Sequence, residues 1–159
     1  MERISFEFKG ISLFVAMERN EVVRIGRTDE AFMDRSPLLL RAQEEIFRYL
    51  SGEKTKIDLP FRLSGTPFQR KVYEAILSIP YGERRSYSDV SAMLCGNGKA
   101  SRAIGTALKA NPLLFLVPCH RIVCADGNEG GYVLGKSFKR YLLEMESVRC
   151  LSRPSPGKA

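Results

Sequence analysis

The chain has 159 residues, 44% of them hydrophobic and 27% charged, which suits one globular domain or two small ones sharing an interface, with a core that needs no staples. The formal net charge of +7 and the pI of about 9.4 favour polyanionic partners, although many basic proteins bind no nucleic acid. No apolar run approaches the length of a membrane span, and the start, Met1-Glu2-Arg3-Ile4-Ser5-Phe6-Glu7, carries charges where a signal peptide is apolar, so the expected location is cytoplasmic, or nuclear in a eukaryote.

The first third predicts strands and then a helix. Ile4 to Phe8 alternates apolar and polar residues, Ile11, Leu13, Val15 and Met17 share one face at period 2, and Val22 to Ile25 is a third short strand. Lys9-Gly10 and Arg19-Asn20-Glu21 supply the turns of an antiparallel meander. From Pro37 to Leu50 the spacing becomes helical, with Leu40, Ile46, Phe47 and Leu50 among the apolar positions and Gly52 as the stop. Residues 1–60 contain neither Cys nor His, and no catalytic constellation is expected there. The extended stretch from Ile57 to Leu63, with Pro60, marks a junction, which predicts regions 1–61 and 62–150 and a disordered tail, 151–159.

Thr66-Pro67-Phe68-Gln69 forms a capping box with proline at the first helical position, and Phe68, Val72, Ala75, Ile76 and Ile79 follow as an apolar face closed by Pro80-Tyr81-Gly82. Ser86-Tyr87-Ser88-Asp89 is a second capping box, opening a helix through Val90, Met93 and Leu94. After the turn Gly96-Asn97-Gly98, a third helix is predicted from about Lys99 to Lys109, giving a helix-turn-helix. Its Ala100, Ala103, Ile104, Ala107 and Leu108 point one way. Arg102, Gly105, Thr106 and Lys109 point the other, a cationic face fit either for solvent or for DNA. Asn111-Pro112 breaks the helix, Leu113 to Val117 reads as a buried strand, and a Gly-rich loop from Asp126 to Tyr132 precedes a final helix from Lys136 to about Val148, with Phe138, Tyr141, Leu142 and Met145 inward.

The four cysteines, Cys95, Cys119, Cys124 and Cys150, form no C-x-x-C pair, and the only histidine is His120, so no metal site is expected. Disulfides are not expected in a reducing cytosol. Each cysteine is then a small buried group or a reactive thiol. Cys119-His120 sets an imidazole beside a thiol, and a base that removes the thiol proton makes the nucleophile. Neighbours on an extended strand point apart, so cooperation requires a turn at Pro118 or a bridging water.

Pro118-Cys119-His120-Arg121-Ile122-Val123 resembles the active-site motif of the O6-alkylguanine-DNA alkyltransferases. Gly65-Thr66-Pro67-Phe68-Gln69, Ile79-Pro80-Tyr81-Gly82, Tyr87, Arg102-Ala103-Ile104-Gly105, Asn111-Pro112, Gly131-Tyr132 and Glu146 fall in that family's order and spacing, over residues 62–147. The resemblance implies an α+β fold. A small antiparallel sheet plus helix, similar to ribonuclease H, would be followed by a mainly helical, winged-helix or helix-turn-helix region carrying the site.

It also implies irreversible, single-turnover transfer of an alkyl group from O6-alkylguanine in double-stranded DNA to Cys119, with O4-alkylthymine as a further candidate substrate. No cofactor would take part, and the protein would act as a monomer, with cooperative binding to DNA left open. Cys119 would be the nucleophile, His120 the base acting through a water, Glu146 its orienting partner and Asn111 the support of the turn. Tyr87, assisted by Lys139, would be the donor near guanine N3. DNA would be bound by Arg102, inserted into the stack through the minor groove, and by Tyr87, Thr66, Gln69, Ser101, Ala103, Gly105, Thr106, Lys109 and Arg121. The pocket would be lined by Leu108, Val117, Pro118, Gly131, Tyr132, Val133 and Leu134.

Three departures stand out. Val133-Leu134-Gly135 replaces a small residue followed by Gly-Gly, Tyr73 replaces a frequent tryptophan as a core change, and residues 1–60 lack the Cys and His with which some relatives bind zinc. Two other readings compete. A lesion-binding module without chemistry is disfavoured by Cys119, because such relatives replace that cysteine. A Cys-His hydrolase would turn over and ignore Arg102.

Overall fold

The computed structural model describes residues 1–152, with side chains through Val148. Its first element is the antiparallel meander β1 (Glu2–Phe8), β2 (Ile11–Glu18) and β3 (Glu21–Arg27), in sheet order β1-β2-β3. Both hairpins close on two residues with positive φ, Lys9 and Gly10 in one, Arg19 and Asn20 in the other, the conformation that matches the twist of the flanking strands. The register sets Phe8 opposite Ile11 and Leu13 opposite Arg27, with an irregularity at Ala16/Met17. Leu13, Val15 and Met17 are buried, as their alternation predicts.

Helix α1 (Pro37–Leu50) keeps its expected bounds. Ser36 caps it by accepting from the Leu39 N–H, and Gly52 turns the chain away with φ +83°. Its buried face is Leu39, Ala42, Ile46, Tyr49 and Leu50. Leu40 and Phe47, expected inward, are exposed, because the stripe that meets β1 and β2 runs one position off them. Phe47 still meets the Phe8 ring edge-on at 5.5 Å.

The outer edge of β3 is covered by two later pieces of chain. Val22 N–H donates to Pro60 C=O (2.8 Å) and Arg62 N–H to Val22 C=O (3.0 Å). Further along, Ile25 N–H donates to Pro112 C=O (2.8 Å) and Leu114 N–H to Ile25 C=O (3.3 Å). The sheet edge therefore holds the segment that leads into Cys119.

Helix α2 (Pro67–Leu77) has the full capping box of Thr66 and Gln69 and buries Val72, Tyr73 and Ile76, whereas Phe68 lies at the surface beside the cap. Tyr73 is a core residue whose hydroxyl donates to Ala107 C=O (2.8 Å). The short strand β4 (Arg85–Ser86) leads into α3 (Tyr87–Cys95), which Ser86 and Asp89 cap reciprocally, and Gly96 ends the helix in the left-handed conformation. Buried Ser91 ties the turn to α4 (Ser101–Lys109), donating to Asn97 C=O (2.6 Å) and accepting from Ala100 N–H (2.9 Å). Helix α4 buries Ile104, Ala107 and Leu108, but Ala103 is exposed, so the apolar stripe is narrower than expected.

Leu113 to Val117 is buried but is not a strand. It is a turn, with Phe115 at φ +71° and a single bridge between Leu114 and Val117. The Asn111 amide closes it, accepting from Leu113 N–H (2.9 Å) and donating to Val117 C=O (3.1 Å). A buried side chain thus replaces the ladder that a strand would need. A 3-10 turn follows over Cys119–Arg121, and β5 (Ile122–Val123) then pairs in parallel with β4.

Helix α5 (Lys136–Ser152) runs past the expected end near Val148, so the first two residues of the expected tail are helical and 153–159 lie outside the described residues. One contiguous core joins the sheet, α1 and the later helices. An aromatic seam of Phe8, Tyr49, Phe115, Phe138 and Tyr141 runs through it. Among the described residues the architecture is α+β, a small antiparallel sheet with five α-helices and the short parallel pair of β4 and β5. No described helix is long and apolar enough to cross a membrane.

Candidate active site

The adjacent residues Cys119 and His120 lie on a 3-10 turn rather than on an extended strand. Pro118 leaves the extended region with ψ 65°, and Cys119, His120 and Arg121 fold back as a single buried turn. Cys119 is 4% exposed and lines a cavity of about 640 Å³ together with Tyr87, Gly105, Leu108, Lys109, Gly131, Tyr132 and Val133.

Behind it lies a buried polar network. His120 Nε2 is 2.9 Å from Glu146 Oε2, and Arg121 grips the same carboxylate from Nε to Oε1 and from Nη2 to Oε2, both at 2.9 Å. Arg121 Nη1 also donates to Ile79 C=O (2.8 Å). The Tyr49 hydroxyl donates to Glu146 Oε2 and lies 3.3 Å from His120 Nε2. Burial pushes the Glu146 carboxyl up, but hydrogen bonds from His120 and Arg121 outweigh it and hold it at about 2. An ionised Glu146 requires Nε2 to carry the ring proton that it shares with the carboxylate. That leaves Nδ1 as a lone pair, buried and without a hydrogen-bond partner among the described residues. Burial, against the pull of Glu146, lowers the His120 pKa and favours this neutral form.

The thiol of Cys119 is pushed up by burial, against a hydrogen bond from Asn111 and the charge of Lys139. It therefore stays protonated until a base acts on it. Lys139, buried on α5, donates to Ile122 C=O (2.6 Å) and Gly131 C=O (3.3 Å). A Cβ on Gly130 would meet Lys139 Nζ at 3.7 Å and the Tyr87 hydroxyl at 3.8 Å, so both heads flank one glycine. Burial lowers the Lys139 pKa and raises that of Tyr87, a phenol that keeps its proton.

Several expected residues gather here and others do not. Cys119, His120, Glu146, Asn111, Tyr87 and Lys139 converge on this region. Leu108, Gly131, Tyr132 and Val133 line the cavity as expected, whereas Val117 and Leu134 are buried and do not line it, and Pro118 faces a second cleft near Tyr49 and Tyr81. Arg102, Thr106 and Lys109 are exposed on α4, with Ser101 and Gly105 half-buried, and Thr66 and Gln69 are engaged in their cap at the surface. Arg121, expected to contact DNA, is turned inward and only 7% exposed, because the Glu146 carboxylate needs its charge. Tyr49 was missed altogether. It lies 71 residues from His120, and its spacing on α1 marks only a core position.

A family model described as 6-O-methylguanine DNA methyltransferase, DNA binding domain, matches residues 67–148. The constitutive methylated-DNA–protein-cysteine methyltransferase of Bacillus subtilis is 36% identical over 148 residues, 86% of this chain and 89% of that protein. A probable methylated-DNA–protein-cysteine methyltransferase of Acanthamoeba polyphaga mimivirus is 49% identical over 104 residues, 64% of this chain and 67% of its own. Among solved structures, Mycobacterium tuberculosis OGT in complex with DNA is similar at a TM-score of 0.82 and 33% identity over 94% of both chains.

Proposed function

This chain belongs to the family of the methylated-DNA–protein-cysteine methyltransferases, and from that premise we propose that it repairs DNA by moving one alkyl group from guanine O6 to its own Cys119. The observation that carries the reading is the pairing of a buried thiol at the cavity wall with a neighbouring histidine whose Nε2 is committed to Glu146 and whose Nδ1 has no partner among the described residues.

The thiol proton passes through a bridging water to His120 Nδ1, and Glu146 stabilises the resulting imidazolium. The sulfur attacks the alkyl carbon in line, the carbon–O6 bond breaks, and its electron pair returns to the guanine ring. Tyr87, with Lys139 beside it, donates toward N3 as charge develops there. The product thioether is stable, so each molecule acts once, and the balance needs no cofactor. The same displacement applies to O4-alkylthymine.

A thiol this enclosed cannot reach a stacked base, so the nucleotide must rotate out of the duplex. The exposed cationic face of α4 supports a minor-groove contact in which Arg102 fills the vacated stack, flanked by Ser101, Ala103, Gly105, Thr106 and Lys109, with Thr66 and Gln69 on the adjoining backbone. Residues 62–150 then form the winged-helix-type, DNA-handling part, and residues 1–61 a ribonuclease H-like scaffold behind it. A monomer suffices for the reaction, and the cytoplasm, or the nucleus in a eukaryote, is where it acts.

Intact-mass spectrometry after mixing with a duplex containing one O6-methylguanine tests this. The expected result is a gain of about 14 Da, mapped to Cys119 and absent in Cys119→Ser. Tight lesion binding with no gain in mass would replace transfer by lesion recognition alone.

A further inference from the structure

The network behind Cys119 is not confined to the matched region 67–148. Its fourth member, Tyr49, comes from the end of α1 and is 2% exposed. We propose that Tyr49 is a positioning residue of the reaction network, holding Glu146 through its hydroxyl and thereby setting how strongly His120 accepts the thiol proton. The proposal rests on the reading of Cys119, His120 and Glu146 given above.

The donors to Glu146 share one charge. Glu146 Oε1 accepts one donor, Arg121 Nε, while Oε2 accepts three: Arg121 Nη2, His120 Nε2 and the Tyr49 hydroxyl. A carboxylate oxygen has two lone pairs in its plane, so three donors on Oε2 compete for the same negative charge. The fraction drawn by Tyr49 is withheld from His120. Burial, then the neighbouring carboxylate, raises the Tyr49 pKa well above the ordinary phenol range, so this hydroxyl always enters as a donor.

Packing alone does not account for a tyrosine here. The ring lies between Tyr81 and Phe115, each with centroids 6.3 Å away, a setting that a phenylalanine would fill equally well. The hydroxyl adds a buried polar group that must be satisfied, and the network is where it is satisfied. The groups facing His120 are Tyr49 from α1, Cys119 and Arg121 from its own turn, Lys139 and Glu146 from α5, and the Tyr132 ring at 6.4 Å. Only Glu146 among them carries a negative charge that favours the imidazolium, so its available charge decides the balance.

His120 is the sole histidine in the chain, so its ring nitrogens can be followed alone by NMR during a pH titration of the intact protein. In Tyr49→Phe the released charge strengthens the bond to Nε2, and the titration midpoint is expected to rise by about 0.5 to 1 pH unit. The acid limb of the single-turnover transfer rate should move up with it, because the base must be neutral, and the plateau rate should fall roughly threefold to tenfold as Glu146 loses one anchor. DNA affinity should stay unchanged.

Tyr141→Phe serves as the control. Tyr141 joins α5 to α1 through Leu50 C=O but does not touch the network, and the expected result is an unshifted titration. An unchanged His120 titration in folded Tyr49→Phe, or an equal shift in Tyr141→Phe, would overturn the proposal and leave Tyr49 as packing. If the wild-type protein moved no alkyl group, the functional reading would fail, while the titration would still decide whether Tyr49 governs His120.

Discussion

The two sides of Cys119 are built on opposite principles. Behind it, Tyr49, His120, Arg121 and Glu146 form a buried cluster in which the carboxylate is held by four hydrogen bonds and one acceptor, His120 Nδ1, has no partner among the described residues. In front, the cavity is bounded by separate elements: Tyr87 from α3, Gly105, Leu108 and Lys109 from α4, and Gly131 to Val133 from the loop before α5. The rear shares one charge, so a change in any member alters what the others receive. The front is modular, and one lining residue can change without disturbing the others. The departure at Val133 falls at this front wall, whereas Leu134 and Tyr73 are buried.

The largest effect should come from breaking the rear. Glu146→Gln leaves Arg121 buried without its countercharge, and we expect a loss of about 3–5 kcal/mol in chemical denaturation together with at least a hundredfold loss in transfer rate. The pH dependence of stability follows from the same network. Both His120 and Glu146 have folded pKa values below their ordinary ones, so each contributes stability above its unfolded pKa that is lost as pH falls. Wild-type stability should therefore decline first below about 6.5, as His120 is forced to charge, and again between about 4.5 and 2, as Glu146 is protonated. Glu146→Gln should lack the second decline. Its persistence in that variant would show that the carboxylate is not the group responsible.

An intermediate effect is expected on the DNA side. Arg102 is exposed and its removal should leave the denaturation midpoint in place. Arg102→Ala should slow transfer from duplex DNA by roughly tenfold or more while sparing transfer from a free O6-alkylguanine base, because only the duplex requires a flipped nucleotide to be held out. Equal losses on both substrates would count against that role.

The smallest effect belongs to the front wall. Val133 is 49% exposed at the cavity, and Val133→Ser should alter stability by no more than about 0.5 kcal/mol. It should shift the ratio of rates for bulky and methyl O6-alkyl groups a few-fold toward the bulky one, read from competition between two labelled duplexes. A large stability loss there would break the contrast between a locked rear and a tolerant front.

Much of this molecule is written in local sequence. Both capping boxes, the bounds of α1, the alternating face of β2 and the turn residues of the meander follow from hydrogen-bonding and steric rules acting within a few residues. Cys119, His120, Asn111 and Glu146 were legible as a set because their motifs resemble a known pattern. What local rules cannot supply is the environment made by distant chain. Leu113 to Val117 has the composition of a buried strand, yet the Asn111 amide and the edge of β3 bend it into a turn.

Arg121 is a cation in a basic chain, and only the burial of Glu146 decides that it turns inward rather than toward a phosphate. Tyr49 gives no signal along the sequence, because its role depends on α1 docking against α5 and the turn at Cys119. The sequence by itself determined the elements, their caps and the reactive pair. The tertiary structure alone decided which buried charges meet, because the strength of a charge pair depends on distance and desolvation rather than on position along the chain.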